Sequence, residues 1–149
     1  MISSKQILSV MTQLEEARKK KSPCLKKDRQ IAAALASKGN RLIIATNTPP
    51  TPKLVCSKCR RENNLPGEDS YNCPALHAEV KCIVTGLNYR YPMIESSLVT
   101  THFPCIHCAM LAVYAGIKKV YYRYEYYEEE KKDIVIGFLN EADVEIYKI

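Results

Sequence analysis

No stretch of this 149-residue chain approaches the roughly 18 consecutive apolar residues of a membrane-spanning helix, which excludes a helical membrane protein. The opening "MISSKQILSVMTQ" lacks the basic start, apolar centre and small-residue cleavage site of a secretory signal, so the expected compartment is the cytoplasm. Internal repeats are absent, and no second composition regime marks a domain boundary, so residues 1–149 read as a single domain. The cysteines lack an even count. Seven thiols without an export signal make a disulfide framework the weak reading and leave metal binding or simple burial.

What is present is an ordinary globular balance, 46% apolar and 26% charged, in a chain long enough to bury one sizeable core. The net charge of +6 comes mostly from "ARKKKSPCLKKDR" and "CSKCRRE". Such runs are most often solvated lysines; their functional reading is an anionic ligand, either a nucleotide phosphate or nucleic acid.

Apolar residues at Ile7, Leu8, Met11 and Leu14 predict an amphipathic first helix that ends before Pro23 and Cys24. "QIAAALASKGNRLIIATN" predicts two strands joined at Ser37-Lys38-Gly39-Asn40, with alanines that invite close packing on the first strand. Thr48 to Leu76 holds five prolines and three cysteines with little periodicity. A loop of that length in a compact domain is functional or stapled. A helix should open near His77, a strand should cover "SLVTTH", and a helix should run from Cys105 to Gly116. "IKKVYYRY" reads as a strand, "EEEKKDIVIGFLNEA" as a helix with an acidic first turn, and "VEIYKI" as a last strand. The order predicts a three-layer α/β/α sandwich around one five-stranded sheet.

The chemistry concentrates in "CPALHAEVKC" and "FPCIHCAM". Cys105 and Cys108 are spaced C-x-x-C at a helix start, where the helix dipole favours the metal-binding thiolate. With His77 they make three ligands, one short of tetrahedral zinc, and an open position marks a catalytic site. Glu79, two residues beyond His77, points elsewhere and suits general acid–base work beside the metal. Alone, His77 reads as a core histidine and Glu79 as a solvated carboxylate. Three coincidences of type and spacing are needed for those readings to hold together. The pattern H-x-E followed by P-C-x-x-C is the signature of zinc nucleobase deaminases, which replace the amine on C4 of cytosine or C6 of adenine.

Beyond that motif, "SPCLKKDRQIAAAL", "RLIIATNTPP", "LHAEVKCI" and "TTHFPCIHCAMLAVYAGIKKVYY" resemble the deoxycytidylate (dCMP) deaminase family of phages and bacteria. The resemblance implies a cytidine-deaminase-like fold with a mixed sheet, conversion of dCMP to dUMP for thymidylate synthesis, and a homo-oligomer, often a hexamer. It also implies host cytoplasm if the chain is phage-encoded. It implies substrate contacts at Asn47, Ala78 and Tyr126, with Pro50 matching the proline of the family's G-Y-N-G-x-P stretch. Ala45, Thr46 and Thr48 depart from the other residues of that stretch, which the family associates with dCTP and dTTP regulation. Lys81 and Arg90 are the candidate phosphate contacts. Cys82 falls where the family has a small residue and reads as buried. The resemblance further implies a second, structural zinc on Cys24, Cys56, Cys59 and Cys73, which would staple the 48–76 loop.

Rival readings are another cytosine nucleotide such as dCTP, or a tRNA or single-stranded DNA substrate. The catalytic core alone suits a tRNA adenosine deaminase equally well. A single-strand editor wants aromatic platforms beside basic residues, and the tyrosines from Tyr121 to Tyr127 imitate one. Half of those should alternate into the core as strand, so nucleic acid is not the expected partner. A zinc-ribbon binding module explains the cysteines but leaves Glu79 and the missing fourth ligand unexplained.

Overall fold

The computed structural model describes residues 2–149. Helix α1 (Ser4–Lys21) opens on a capping box in which Ser3 and Gln6 satisfy each other's backbone N–H groups. Strands β1 (Ala32–Ala36) and β2 (Leu42–Thr46) form an antiparallel hairpin whose turn places Gly39 at φ 73°. Helix α2 (Ala78–Asn88), strand β3 (Ser97–His102), helix α3 (Ile106–Tyr114), strand β4 (Lys119–Tyr124), helix α4 (Glu129–Glu141) and strand β5 (Glu145–Lys148) follow. The sheet order is β2-β1-β3-β4-β5; β1 pairs antiparallel with β2 and β3, while β3, β4 and β5 run parallel. This is the expected sandwich with one mixed five-stranded sheet.

Period-two alternation in β1 explains its alanines. Ala32, Ala34 and Ala36 pack with Ile7, Val10, Met11, Leu14 and Ala17 of α1 on one face. Ala33 and Leu35 join Ala78, Cys82 and Ile83 of α2 on the other, together with residues of α3 and α4. Small side chains let α2 approach closely: a Cβ on Gly86 would stand 2.7 Å from Leu35 Cδ1. Leu8, expected on the inner stripe of α1, is instead exposed, and Val10 and Ala17 complete the buried face. The 3.6-residue period carries position 8 to the flank once 7, 11 and 14 define the stripe.

The tyrosine run behaves as a strand and its continuation. Tyr122 is buried against Phe103, Tyr121 stacks on Tyr147, and Tyr124 is exposed.

The 48–76 segment carries only two short helical turns, yet it is closed by its own polar groups. Thr48 and Leu76, at its two ends, exchange backbone hydrogen bonds of 3.2 and 3.0 Å. Inside it, Arg61 Nε donates to the Glu68 carbonyl at 2.7 Å, and the Leu65 N–H donates to the Glu68 carboxylate at 2.8 Å. Gly67, at φ 84°, lets the loop lie on Tyr127, where a Cβ would meet the ring at 2.8 Å. Among the described residues no helix is long and apolar enough to cross a membrane.

Candidate active site and its relatives

Two helix openings meet at one point. His77 is the N-cap of α2 and Cys105 the N-cap of α3, and Cys108 lies in the first turn of α3. His77 Nδ1 stands 3.5 Å from Cys105 Sγ and 3.3 Å from Cys108 Sγ. These three donors, all within 4.8 Å of one another, are the one such group among the described residues. A tetrahedral zinc with bonds of about 2.0–2.1 Å to nitrogen and about 2.3 Å to sulfur would place nitrogen and sulfur about 3.5 Å apart. The trio fits zinc.

The three donors also share protons with one another. Hydrogen bonding from Cys108 chiefly, with His77 adding to it, lowers Cys105 to about 4. The same contact with Cys105 raises His77 to about 9, while Cys108, donating to Cys105 and buried, is held well above the usual thiol range. A sulfur already inclined to the thiolate is the form a metal takes.

Glu79 sits beside the trio, not in it. It is 3% exposed, and burial is the main cause that pushes its carboxyl up, opposed by the charge of His77. Thr100 Oγ1 of β3 donates to Oε1 at 3.5 Å, and Oε2 is buried with no protein partner. A buried carboxyl with one free oxygen beside a metal site can hold a proton there and release it.

His77, Glu79 and Cys105 line a pocket shared with Arg29, Asn47, Arg61, Phe103, Tyr126 and Tyr127. Tyr126 is wedged edge-on against His102 and Tyr127, with ring centroids 5.6 and 5.0 Å away. Asn47 is buried with its amide largely used: Oδ1 accepts from Ser22 Oγ at 2.7 Å and from the Ile31 N–H at 2.9 Å, and Nδ2 donates to the Arg29 carbonyl at 2.7 Å. Asn47 therefore ties the 22–31 segment to the end of β2. Ala78 is fully buried under the start of α2.

The two residues expected at a phosphate are not brought to this pocket. Lys81 spends its ammonium on the Thr48 hydroxyl at the base of the loop. Arg90 is exposed in a left-handed turn after the far end of α2, about four helical turns from His77 at 1.5 Å per residue. Arg29 and Arg61 line the pocket instead. The basic runs that contain them were visible in the sequence, but their burial was not.

Cys24, Cys56, Cys59 and Cys73 all line the same cavity, and none is in a disulfide. After burial, the charges of Cys73 and Cys59 contribute to raising Cys24. No three of these sulfurs form a group within 4.8 Å among the described residues. The structure gathers them without closing a four-sulfur shell. Cys82 is buried, as expected, with its thiol donating to the Ala33 carbonyl at 3.0 Å and pushed up to about 12 by burial.

Known proteins place this geometry. The structure of dCMP deaminase from the cyanophage S-TIM5 in complex with dCMP and dUMP is 25% identical, with a TM-score of 0.76 and full coverage of both chains. Its apo form is 23% identical, with a TM-score of 0.72 over 99% of this chain and 100% of that one. ComE operon protein 2 of Bacillus subtilis is 34% identical over 58 residues, which span 39% of this chain and 31% of that protein. Residues 4–124, which include the three-donor cluster and Glu79, match the model of the cytidine and deoxycytidylate deaminase zinc-binding region, and the chain belongs to that family of deaminases.

Proposed function

We propose that the chain is a zinc-dependent dCMP deaminase, converting dCMP and water to dUMP and ammonia and so supplying dUMP for thymidylate synthesis. The observation that carries the reading is the buried Glu79, with its free Oε2 beside a three-donor cluster of zinc dimensions. The cyanophage protein solved with dCMP and dUMP, similar over the whole of both chains, supports the choice of substrate.

His77, Cys105 and Cys108 would hold the zinc. Bound zinc supplies a Lewis acid that makes water nucleophilic near neutral pH. Glu79 Oε2 takes a proton from the attacking water and passes it to the departing amine on C4 of the base. Thr100 orients the carboxyl through Oε1. Phe103, Tyr126 and Tyr127 form the aromatic wall that encloses the base and keeps bulk water from the reacting carbon.

A second, structural zinc on Cys24, Cys56, Cys59 and Cys73 belongs to the same proposal, supported by their shared cavity; it requires the sulfurs to draw closer than they stand here. Homo-oligomerisation is supported by exposed Val84 and Leu87 on α2 and Met110 and Tyr114 on α3. Cytoplasmic residence accords with a free nucleotide substrate.

The test is ammonia release from dCMP, dCTP, CMP, deoxycytidine and single-stranded DNA by the purified protein. dCMP should give the highest kcat/KM. Preference for the oligonucleotide or for dCTP would replace this reading with one of its rivals.

A further inference from the structure

The short connection from β4 to α4, residues 125–128, carries two of the three rings of the aromatic wall, Tyr126 and Tyr127. It lies between a strand and a helix, so side chains must fix it. Its first residue does so. Glu125 Oε2 pairs with Lys132 Nζ of α4 at 2.9 Å, and Oε1 pairs with Lys148 Nζ of β5 at 2.7 Å. The Tyr122 hydroxyl of β4 donates to the same Oε1 at 3.4 Å. One carboxylate thus ties the connection to the strand before it, the helix after it and the last strand.

Lys132 is the unusual partner, because it is only 7% exposed. Its Nζ stands 5.9 Å from the centre of the ring of Phe103, the third aromatic of the wall. Phe103 in turn meets Tyr122 edge-on at 4.9 Å. The ion pair therefore flanks the wall at two points, Phe103 through the lysine and the two tyrosines through the glutamate. Glu129 also reaches Lys132, at 3.1 Å, but its side chain is 82% exposed and belongs to α4 itself. Taking an ammonium out of water costs more than a half-exposed pair returns, so stability alone does not account for a lysine there. What the pair supplies is a fixed geometry at the base of the connection.

We propose that Glu125, held by Lys132, is a positioning residue for the reaction: it fixes the 125–128 connection so that Tyr126 and Tyr127 close on the base. It acts through those two rings and touches no reacting atom. The assignment rests on the deaminase reading above, which makes this wall the surface that receives the base.

The test is steady-state kinetics on dCMP, with zinc content, for Glu125→Gln, Lys132→Met, the double variant and Glu129→Gln. Glu125→Gln leaves Lys132 with Glu129, and Lys132→Met leaves Glu125 with Lys148, so neither strands a charge. Each should raise KM about 3–10-fold, within the range for coupled contacts, while kcat and zinc change little. The double variant should be no worse than the more affected single one. Glu129→Gln removes the other carboxylate on Lys132 without touching the connection and should keep the wild-type KM. A lowered Tm with an unchanged KM in Glu125→Gln, or an equal rise in Glu129→Gln, overturns the assignment and leaves the dCMP reading standing. Near-UV tyrosine dichroism reads the wall without substrate and should change in Glu125→Gln but not in Glu129→Gln. A wild type that turns over no dCMP overturns the substrate reading; identical dichroism in all variants would then overturn the positioning role as well.

Discussion

His77 Nδ1 lies 3.3 Å from the sulfur of Cys108, across 31 residues of sequence, because each side chain stands at the start of its own helix. The two helices pack on the same face of the sheet, so the separation is set by the fold before any ion arrives. Cys108→Ser should therefore keep the fold and lose the metal at this point. Metal analysis of protein purified without chelator should find two zinc ions per chain, one of them lost in Cys56→Ser/Cys59→Ser. A wild-type value of one, abolished by Cys108→Ser alone, would show that the loop cysteines bind nothing.

Gly67→Ala tests the loop as part of the site. The new Cβ would stand 2.8 Å from the Tyr127 ring, and φ 84° is strained for alanine. The backbone strain alone costs about 1–2 kcal/mol. Zinc content should be unchanged, while KM for dCMP rises as the 61–68 turn lifts from Tyr127. Unaltered kinetics would mean that the turn does not shape the pocket.

His102 gives the fold a dependence on acid. Burial first, and then the charge of Arg18, lower it to about 4, against an ordinary value of 6.5. The unfolded chain therefore takes up a proton that the folded chain refuses. Stability is complete above pH 6.5 and falls as pH drops from 6.5 towards 4, by up to about 3 kcal/mol for this group. Denaturant melts between pH 7 and pH 4.5 should show a steeper loss in the wild type than in His102→Gln. Parallel curves would remove His102 as the cause.

Much of the site could be read from residue spacing because its pieces are local. His77-Ala78-Glu79 and Cys105-Ile106-His107-Cys108 each lie within a single helical opening, and a helix start dictates where such side chains can point. The strands were equally readable: the alanines of β1 point to close packing against it, and the structure buries all five of its residues, alternately against α1 and α2. Arg61 was not readable. Its burial depends on Glu68, on Gly67 lying against Tyr127, and on Arg29 reaching across 32 residues to its carbonyl. Nothing in "CSKCRRE" distinguishes Arg61 from exposed Arg60. Arg90 stands apart from the pocket for the converse reason: it follows the motif in sequence, but α2 carries it away.

Cys82→Ala should be nearly silent. Its sulfur fills space between α2 and β1 and adds only a weak donor to the Ala33 carbonyl. Burial holds the thiol at about 12, so it should resist alkylation at neutral pH in the folded protein. A loss of more than about 1 kcal/mol in the variant would assign it a packing role that alanine cannot fill.

The central claim is that Glu79 moves protons for a reaction that begins at the His77, Cys105 and Cys108 site. It is tested most directly by measuring zinc content and the dUMP formation rate together in Glu79→Gln. The substitution keeps the shape and the Thr100 contact but cannot cycle a proton. Zinc at the wild-type level with turnover reduced about 10⁴-fold is the expected result, the upper end for a group that serves both proton transfers. Turnover above a tenth of the wild type, with zinc still bound, would contradict it.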